Sequence, residues 1–141
     1  MYAVSTSLAV PTRDTYHHGD LRAALIASAT QLLESGEPFS LRAVARNAGV
    51  SATAPYRHFA DREALESALA VEGFKELTIE LAGGGIPTSV EDLGRLGVIY
   101  VNFALDRPAL FKLMFGHECD DTNDERVAAA GGLHVLLGGV L

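Results

Sequence analysis

Several features that mark secreted and membrane proteins are missing from this chain of 141 residues. Its single cysteine, Cys119, excludes an internal disulfide bond and suits a reducing cytoplasm. No apolar run approaches the length of a membrane span. Residues 1–15 are small and polar and lack the basic start and apolar core of a secretion signal, so we expect a disordered tail there. These absences favour a cytoplasmic protein without a membrane partner.

Basic charge is also scarce, because 11 Lys and Arg residues stand against 18 Asp and Glu residues, for a net charge of -7. The charge is unevenly spread. Residues 1–62 hold six Arg against five acidic residues, whereas residues 63–141 hold five basic and thirteen acidic residues. A near-neutral N-terminal region, here called the head, attached to an acidic remainder can restrict phosphate binding to one face. Without a motif in the head, ordinary variation along a chain would explain the same asymmetry.

The alternation that is typical of β-strands is absent, and helical spacing replaces it. Residues 20–35 have apolar side chains on one face. Residues 83–87, Gly-Gly-Gly-Ile-Pro, break the pattern most sharply and mark the best domain boundary. The sequence therefore predicts an all-α protein, with a head domain over residues 16–82 and a helical regulatory domain over residues 83–141.

Residues 40–62 form the most informative segment. Ser40 is placed to cap a short helix, Gly49 falls where the chain must turn, and Ser51 can cap a second short helix. This is the layout of a helix-turn-helix DNA-binding motif. Asp61 is placed to cap the next, long helix. It is the single acidic residue of the segment, against four arginines and one histidine, so the second helix is expected to lie against nucleic acid.

These motifs resemble the N-terminal domain of TetR/AcrR-family transcription regulators over about residues 17 to 75. The most specific of them is Tyr-Arg-His-Phe-Ala-Asp-Arg-Glu-Ala-Leu at residues 56–65, and Gly-Asp-Leu-Arg-Ala-Ala-Leu at residues 19–25 supports it. Residues 107–116 also resemble a segment of the C-terminal ligand domain in one branch of the family. The resemblance implies a cytoplasmic repressor that a small molecule releases from its DNA operator.

Position and resemblance together select the candidate DNA contacts. Arg42 could reach a phosphate or a guanine edge, and Arg62 stands at a helix N-terminus, where phosphate is favoured. Tyr56 and His58 look like the backbone-contacting pair of the family, although both could instead pack beneath Phe59 and serve only the fold. The full set of candidates is Ser40, Arg42, Ser51, Ala52, Thr53, Tyr56, Arg57, His58 and Arg62.

The chain departs from the family pattern at Ala54-Pro55, where many members have Thr-Leu. Ala54 lacks a hydroxyl that could bind phosphate, and Pro55 removes the first hydrogen bond of the second helix. We therefore expect a distorted helix start and DNA specificity that depends mainly on thymine methyls and DNA shape. Restoring Thr and Leu at these positions is expected to raise helix stability and DNA affinity together.

The aromatic and soft side chains of the regulatory domain are candidates for an apolar effector pocket, with the Tyr100 hydroxyl as its polar anchor. Each such side chain is more often part of a core. The set is Tyr100, Phe103, Phe111, Met114 and Phe115.

No enzyme site, cofactor or metal site is expected. His17-His18 and residues 117–121 contain ligand types, but adjacent ligands rarely converge on one ion. Cys119 has no neighbouring base that would mark a nucleophile. The alternative to a DNA-binding regulator is a non-enzymatic helical interaction protein that keeps the head domain but no longer binds operator DNA.

The resemblance implies a homodimer, because a two-fold operator needs two heads roughly 34–36 Å apart. Only three helices fit after Pro87, whereas family members continue further. The regulatory domain is therefore expected to be incomplete, and the chain to dimerise poorly or through an unusual surface. A monomer would leave the apolar faces of Tyr100, Leu113 and Leu137 exposed.

Overall fold

The protein folds into packed α-helices. The computed structural model describes residues 20–116 and 124–138. Within these ranges it contains no strand and no helix that is long and apolar enough to cross a membrane, so the all-α prediction is confirmed. The elements in chain order are α1 (Asp20–Ser35), α2 (Leu41–Ala48), a 3₁₀ turn (Ala54–Arg57), α3 (Arg62–Gly83), α4 (Val90–Asp106), α5 (Pro108–Gly116) and α6 (Asp124–Gly138).

The helices around the 3₁₀ turn begin and end at the predicted residues. Ser40 Oγ accepts the Ala43 N–H at 3.0 Å, and the Asp61 carboxylate accepts the Ala64 N–H at 2.8 Å. Each bond satisfies a backbone donor that has no partner within its helix. Gly49 closes α2 with φ 72°, a left-handed conformation that penalises any side chain. Local chemistry thus fixes both ends of the segment that carries the candidate DNA contacts.

The sequence Ser89-Val90-Glu91-Asp92 predicts a capping box at the start of α4, with Asp in place of the usual Glu, and this box forms only in part. Ser89 Oγ accepts the Asp92 N–H at 3.1 Å. The Asp92 carboxylate does not return to Ser89 but accepts the Thr88 N–H and hydroxyl, each at 3.1 Å. The hydrogen bond from the Thr88 backbone, followed by the bonds with the Ser89 and Thr88 side chains, lowers the pKa of Asp92. The stabilisation is therefore present at neutral pH and is lost as the pH falls through this lowered pKa.

Helix α3 is the centre of the core, and α1, α4, α5 and α6 pack against it. Its buried leucines recur every fourth residue except at Gly73. A Cβ at Gly73 would lie 2.6 Å from Met114 Sδ and 3.3 Å from Leu110 Cδ1. A side chain at position 73 would therefore force the flexible side chain of Met114 to shift. The buried leucines of α3 are Leu65, Leu69, Leu77 and Leu81.

Packing crosses the predicted domain boundary, which coincides with the loop between α3 and α4. One continuous cluster of buried side chains includes Leu25 of α1 and Leu113 of α5. The N-terminal end of α5 is bonded to α1 and α3. Glu34 Oε1 of α1 accepts the Leu110 N–H at 3.3 Å, and Arg107, just before α5, forms an ion pair with Glu76 of α3. The head and the C-terminal helices therefore share a core.

Arg126 of α6 is buried and forms hydrogen bonds with the C-terminal end of α5. Its Nη2 donates to the carbonyl oxygens of Leu113 at 3.2 Å and Met114 at 3.1 Å. These carbonyls belong to the last turn of α5, where intrahelical donors run out. The buried arginine thus has a structural role.

Candidate nucleic-acid interface

The predicted second helix of the motif is a single 3₁₀ turn. Its N-cap is Thr53, with no side-chain capping bond, and Ser51 Oγ lies 3.4 Å from Thr53 Oγ1. The prediction that Ser51 caps an α-helix is therefore wrong. Pro55 has no N–H to donate, and its carbonyl accepts from both His58 at 3.0 Å and Phe59 at 2.9 Å, which closes the turn.

The turn exposes the side chains that were expected to face outward. Tyr56 is 60% exposed, and Ala52, Thr53, Arg57 and His58 are also exposed. These exposures are inconsistent with the alternative in which Tyr56 and His58 pack beneath Phe59.

The inner side of the turn is apolar. Ala54 and Pro55 of the turn and Phe59, two residues after it, are buried. Phe59 is a core residue, as predicted, and the guanidinium of Arg22 stacks 5.7 Å from the centre of its ring. The exposed turn is thus seated on an apolar base.

Three exposed arginines lie on the motif: Arg42 and Arg46 on α2, and Arg57 on the 3₁₀ turn. Among residues 20–116 and 124–138, no carboxylate lies within salt-bridge distance of any of them. Arg46 was not among the sequence candidates, although its position four residues after Arg42 places both on one side of α2. Unpaired cations of this kind are available to an anionic partner.

Arg62 differs from these three. It begins α3 as predicted, but its Nε lies 2.7 Å from Glu66 Oε1 and its guanidinium lies 5.4 Å from the centre of the Phe39 ring. A phosphate must therefore compete with Glu66 for this cation.

Three of the five predicted effector-pocket residues, Tyr100, Phe111 and Phe115, come together between α4 and α5. The ring centres of Phe111 and Phe115 are 4.7 Å apart, and those of Tyr100 and Phe111 are 5.7 Å apart. Phe103 and Met114 are buried in the core, whereas Phe115 is 45% exposed. The side chains thus pack on one another or on the core, and the structure leaves their role as an effector pocket a prediction.

A separate cleft of about 650 Å³ lies between α1 and α3 and reaches the start of α5. None of the five predicted pocket residues lines it. Its lining is Arg22, Ala23, Ile26, Ala27, Thr30, Gln31, Leu69, Glu72, Gly73, Glu76, Arg107 and Leu110.

Comparison with known proteins relates the chain to a solved structure from a bacterium. No protein-family model matches the chain, and no curated protein matches it. A structure from Rhodococcus sp. RHA1, described as a protein with unknown function, has 37% sequence identity and a TM-score of 0.76. The match covers 90% of this chain and 69% of the Rhodococcus protein. This chain belongs to the same family as that protein. The family relationship therefore extends over the head and the C-terminal helices alike.

In this family member, the described residues bring no three His, Cys, Asp or Glu side chains together in a way that could hold a metal ion. His17, His18 and residues 117–121 lie outside the described residues, as do residues 1–15, which were expected to form a disordered tail.

The burial of Ala54 and Pro55 reverses the expected effect of restoring Thr and Leu. Ala54 is 6% exposed, and Pro55 is among the most deeply buried side chains. The double variant A54T/P55L should lose about 1–3 kcal/mol of unfolding free energy, because it buries a hydroxyl and overfills a packed site. Urea unfolding followed by circular dichroism measures the change. The exposed variant A52T is the control, and a gain in stability in A54T/P55L would contradict the close packing of Ala54 and Pro55.

Proposed function

We propose that the protein is a DNA-binding transcription regulator of the TetR type, acting in the cytoplasm as a repressor that a small apolar effector releases from its operator. The observation that carries this proposal is the set of exposed, unpaired arginines on α2 and on the 3₁₀ turn, together with the exposed Tyr56. The resemblance of residues 56–65 to the family motif supports the same surface.

The chemistry of this surface suits a DNA backbone. Arginine donates bidentate hydrogen bonds to phosphate, and the phenol of Tyr56 and the imidazole of His58 are further donors. The backbone N–H groups at the start of α2, beside Ser40, add a helix terminus that attracts anions. Contacts of this type position a protein on a duplex and carry little sequence information.

The acidic remainder of the chain restricts DNA binding to the head. Residues 63–141 carry thirteen acidic against five basic side chains, so phosphate is repelled from most of the surface. Only the head then presents a favourable face to DNA.

A titration with labelled DNA tests the proposal. The probes are a duplex from the region upstream of the protein's own gene and a shuffled duplex of equal length, followed by fluorescence anisotropy from about 50 to 200 mM salt. Binding should weaken linearly on a log–log plot of affinity against salt, and the upstream duplex should bind more tightly. Absence of binding to either duplex at the lowest salt, with the helical content intact, contradicts the proposal.

The variant R62A should flatten the salt dependence by about one unit per half-site, because one phosphate contact is lost. Affinity should fall for both duplexes alike. K75A is the matched control, since Lys75 also lies on α3, is exposed and pairs with a neighbouring acid, Glu72, at 3.0 Å. An unchanged slope in R62A would remove Arg62 from the interface.

The second candidate is an interaction protein that keeps the head but no longer binds operator DNA. The net charge of -7 and the replacement of the second α-helix by a four-residue 3₁₀ turn favour it. The same titration separates the two functions.

The effector part of the proposal rests on the aromatic cluster of Tyr100, Phe111 and Phe115, which joins α4 to α5. Because α5 is tied to α1 through Glu34, a ligand that displaces α5 would also act on the head.

A further inference from the structure

The cleft of about 650 Å³ between α1 and α3 contains none of the candidate DNA contacts and none of the aromatic cluster. Its volume falls in the range of about 300–1,000 Å³ that is usual for small-molecule sites. The lining comes from α1, α3 and the start of α5, so the fold brings together three segments that are distant in sequence. The chemistry of this lining indicates the class of molecule that fits.

Much of the lining is apolar, and small side chains keep the cleft open along α1. Ala23 and Ala27 are exposed and stand one helical turn apart, and Ile26 beside them is half-buried. On α3, Leu69 and Gly73 are also one turn apart, and both are buried. The two helices therefore offer an apolar surface to the body of a ligand.

The charges of the lining are paired except at Arg22. Glu76 forms an ion pair with Arg107, and Glu72 lies 3.0 Å from Lys75 Nζ. No carboxylate among the described residues lies within salt-bridge distance of Arg22. The cleft therefore has one unpaired positive charge, near the N-terminal end of α1.

The environment of Arg22 suits a carboxylate. Its side chain is half-buried, and its guanidinium lies 5.7 Å from the centre of the Phe59 ring. An arginine stacked on a ring keeps the N–H groups at the edge of its plane available as donors. A carboxylate can accept two parallel hydrogen bonds from such a group. Because neighbouring side chains partly exclude water, these bonds are stronger than at a fully exposed arginine.

We propose that this cleft binds a small monocarboxylic acid with an apolar body, the carboxylate on Arg22 and the body along α1 and α3. The inference goes beyond the proposed function and does not depend on DNA binding. An organic cation would be repelled by Arg22, and a small inorganic anion would leave the apolar lining in water. The α1 lining runs from Arg22 to Gln31. This length is about 13 Å along the helix axis, so an unbranched acid of about eight carbons fits lengthwise.

Isothermal titration calorimetry of the full chain with three probes tests the inference. Octanoate should bind at one site per chain, with a dissociation constant between about 10 µM and 1 mM. Butyrate keeps the carboxylate but lacks most of the apolar body, and octylammonium keeps the body but reverses the charge. Each of these two probes should bind at least about tenfold more weakly than octanoate.

Substitution of Arg22 tests the carboxylate contact. R22M removes the charge but keeps an apolar side chain against Phe59, and it should weaken octanoate binding at least about tenfold. R22K keeps the charge and should retain part of the affinity. R95M is the matched control, because Arg95 is exposed on α4 and does not line the cleft.

Filling the cleft tests the position of the apolar body. A27F places a large side chain in the cleft from an exposed position and should also weaken octanoate binding at least about tenfold. A82F is the control, because Ala82 is exposed on α3 and does not line the cleft. Circular dichroism verifies that each variant remains folded.

Three results would overturn the inference. They are no octanoate binding by the folded chain, binding of butyrate or octylammonium as tight as that of octanoate, and equal effects of the cleft variants and their controls. Because the titration contains no DNA, its failure is distinguishable from a failure of the proposed DNA-binding function.

Discussion

The variant L77A is expected to lower the free energy of unfolding by about 2–5 kcal/mol, the usual loss when a fully buried leucine is truncated. Leu77 has 0% exposure and lies in the middle of the α3 face that joins α1, α4, α5 and α6. Removing its three terminal carbons leaves a cavity that a close-packed core cannot fill completely. Urea unfolding followed at 222 nm gives the difference.

The control is L105A, the same chemical change at a side chain that is 72% exposed. Its effect should stay within about 0.5 kcal/mol when the protein is dilute enough to remain monomeric. Equal losses in L77A and L105A would mean that α3 is not the centre of the core.

The double variant R42A/R57A is expected to weaken DNA binding about 100-fold or more at low salt. Each arginine is exposed and has no acidic partner among the described residues, so each is available to phosphate. Hydrogen bonds to charged groups contribute about 1.5–3 kcal/mol each. The salt dependence should also flatten by about two units per half-site.

The double variant K75A/R95A removes the same amount of charge from exposed positions on α3 and α4, where both cations have acidic neighbours. It should retain most of the affinity. Equal weakening of the two double variants would mean that binding depends on net charge alone, and the interface around the 3₁₀ turn would then be wrong.

Helix ends were predictable from the sequence because caps act over three or four residues. Ser40, Gly49 and Asp61 have the predicted roles, and α1 ends just before Gly36. Ser89 also caps α4, although Asp92 bonds to Thr88 instead of returning to Ser89. The geometry of each cap is contained in its own segment, so no distant contact can easily override it.

The secondary structure of residues 51–58 was less predictable from the sequence than the helix ends were. Spacing alone favours an α-helix from Ser51, and the sequence shows only that Pro55 disturbs its start. The structure has a 3₁₀ turn because Pro55 and Ala54 pack into the core and the Pro55 carbonyl closes the turn. Ala54 belongs to the same buried cluster as Leu25 and Leu65, which are distant from it in sequence.

The exposure expected at Leu113 was wrong for a similar reason, because this side chain is buried. Tyr100 is half-buried against Phe111, and the side chain of Leu137 lies outside the described residues. Exposed apolar side chains lie on α4 instead, at Val90, Val101 and Leu105. Helical spacing shows that α4 is apolar on more than one side, but it does not show which side the other helices cover.

The sequence by itself determined the all-α class, the helix ends and the residues that face outward around the turn, because periodicity and capping are local. The ion pair of Arg62 with Glu66 is local as well, because the two residues are four apart on α3. Tertiary structure alone placed Arg126 at the end of α5 and brought Met114 within 2.6 Å of the position that a Cβ at Gly73 would occupy. Each of these depends on distances between segments far apart in the chain, which only the packing of the helices sets.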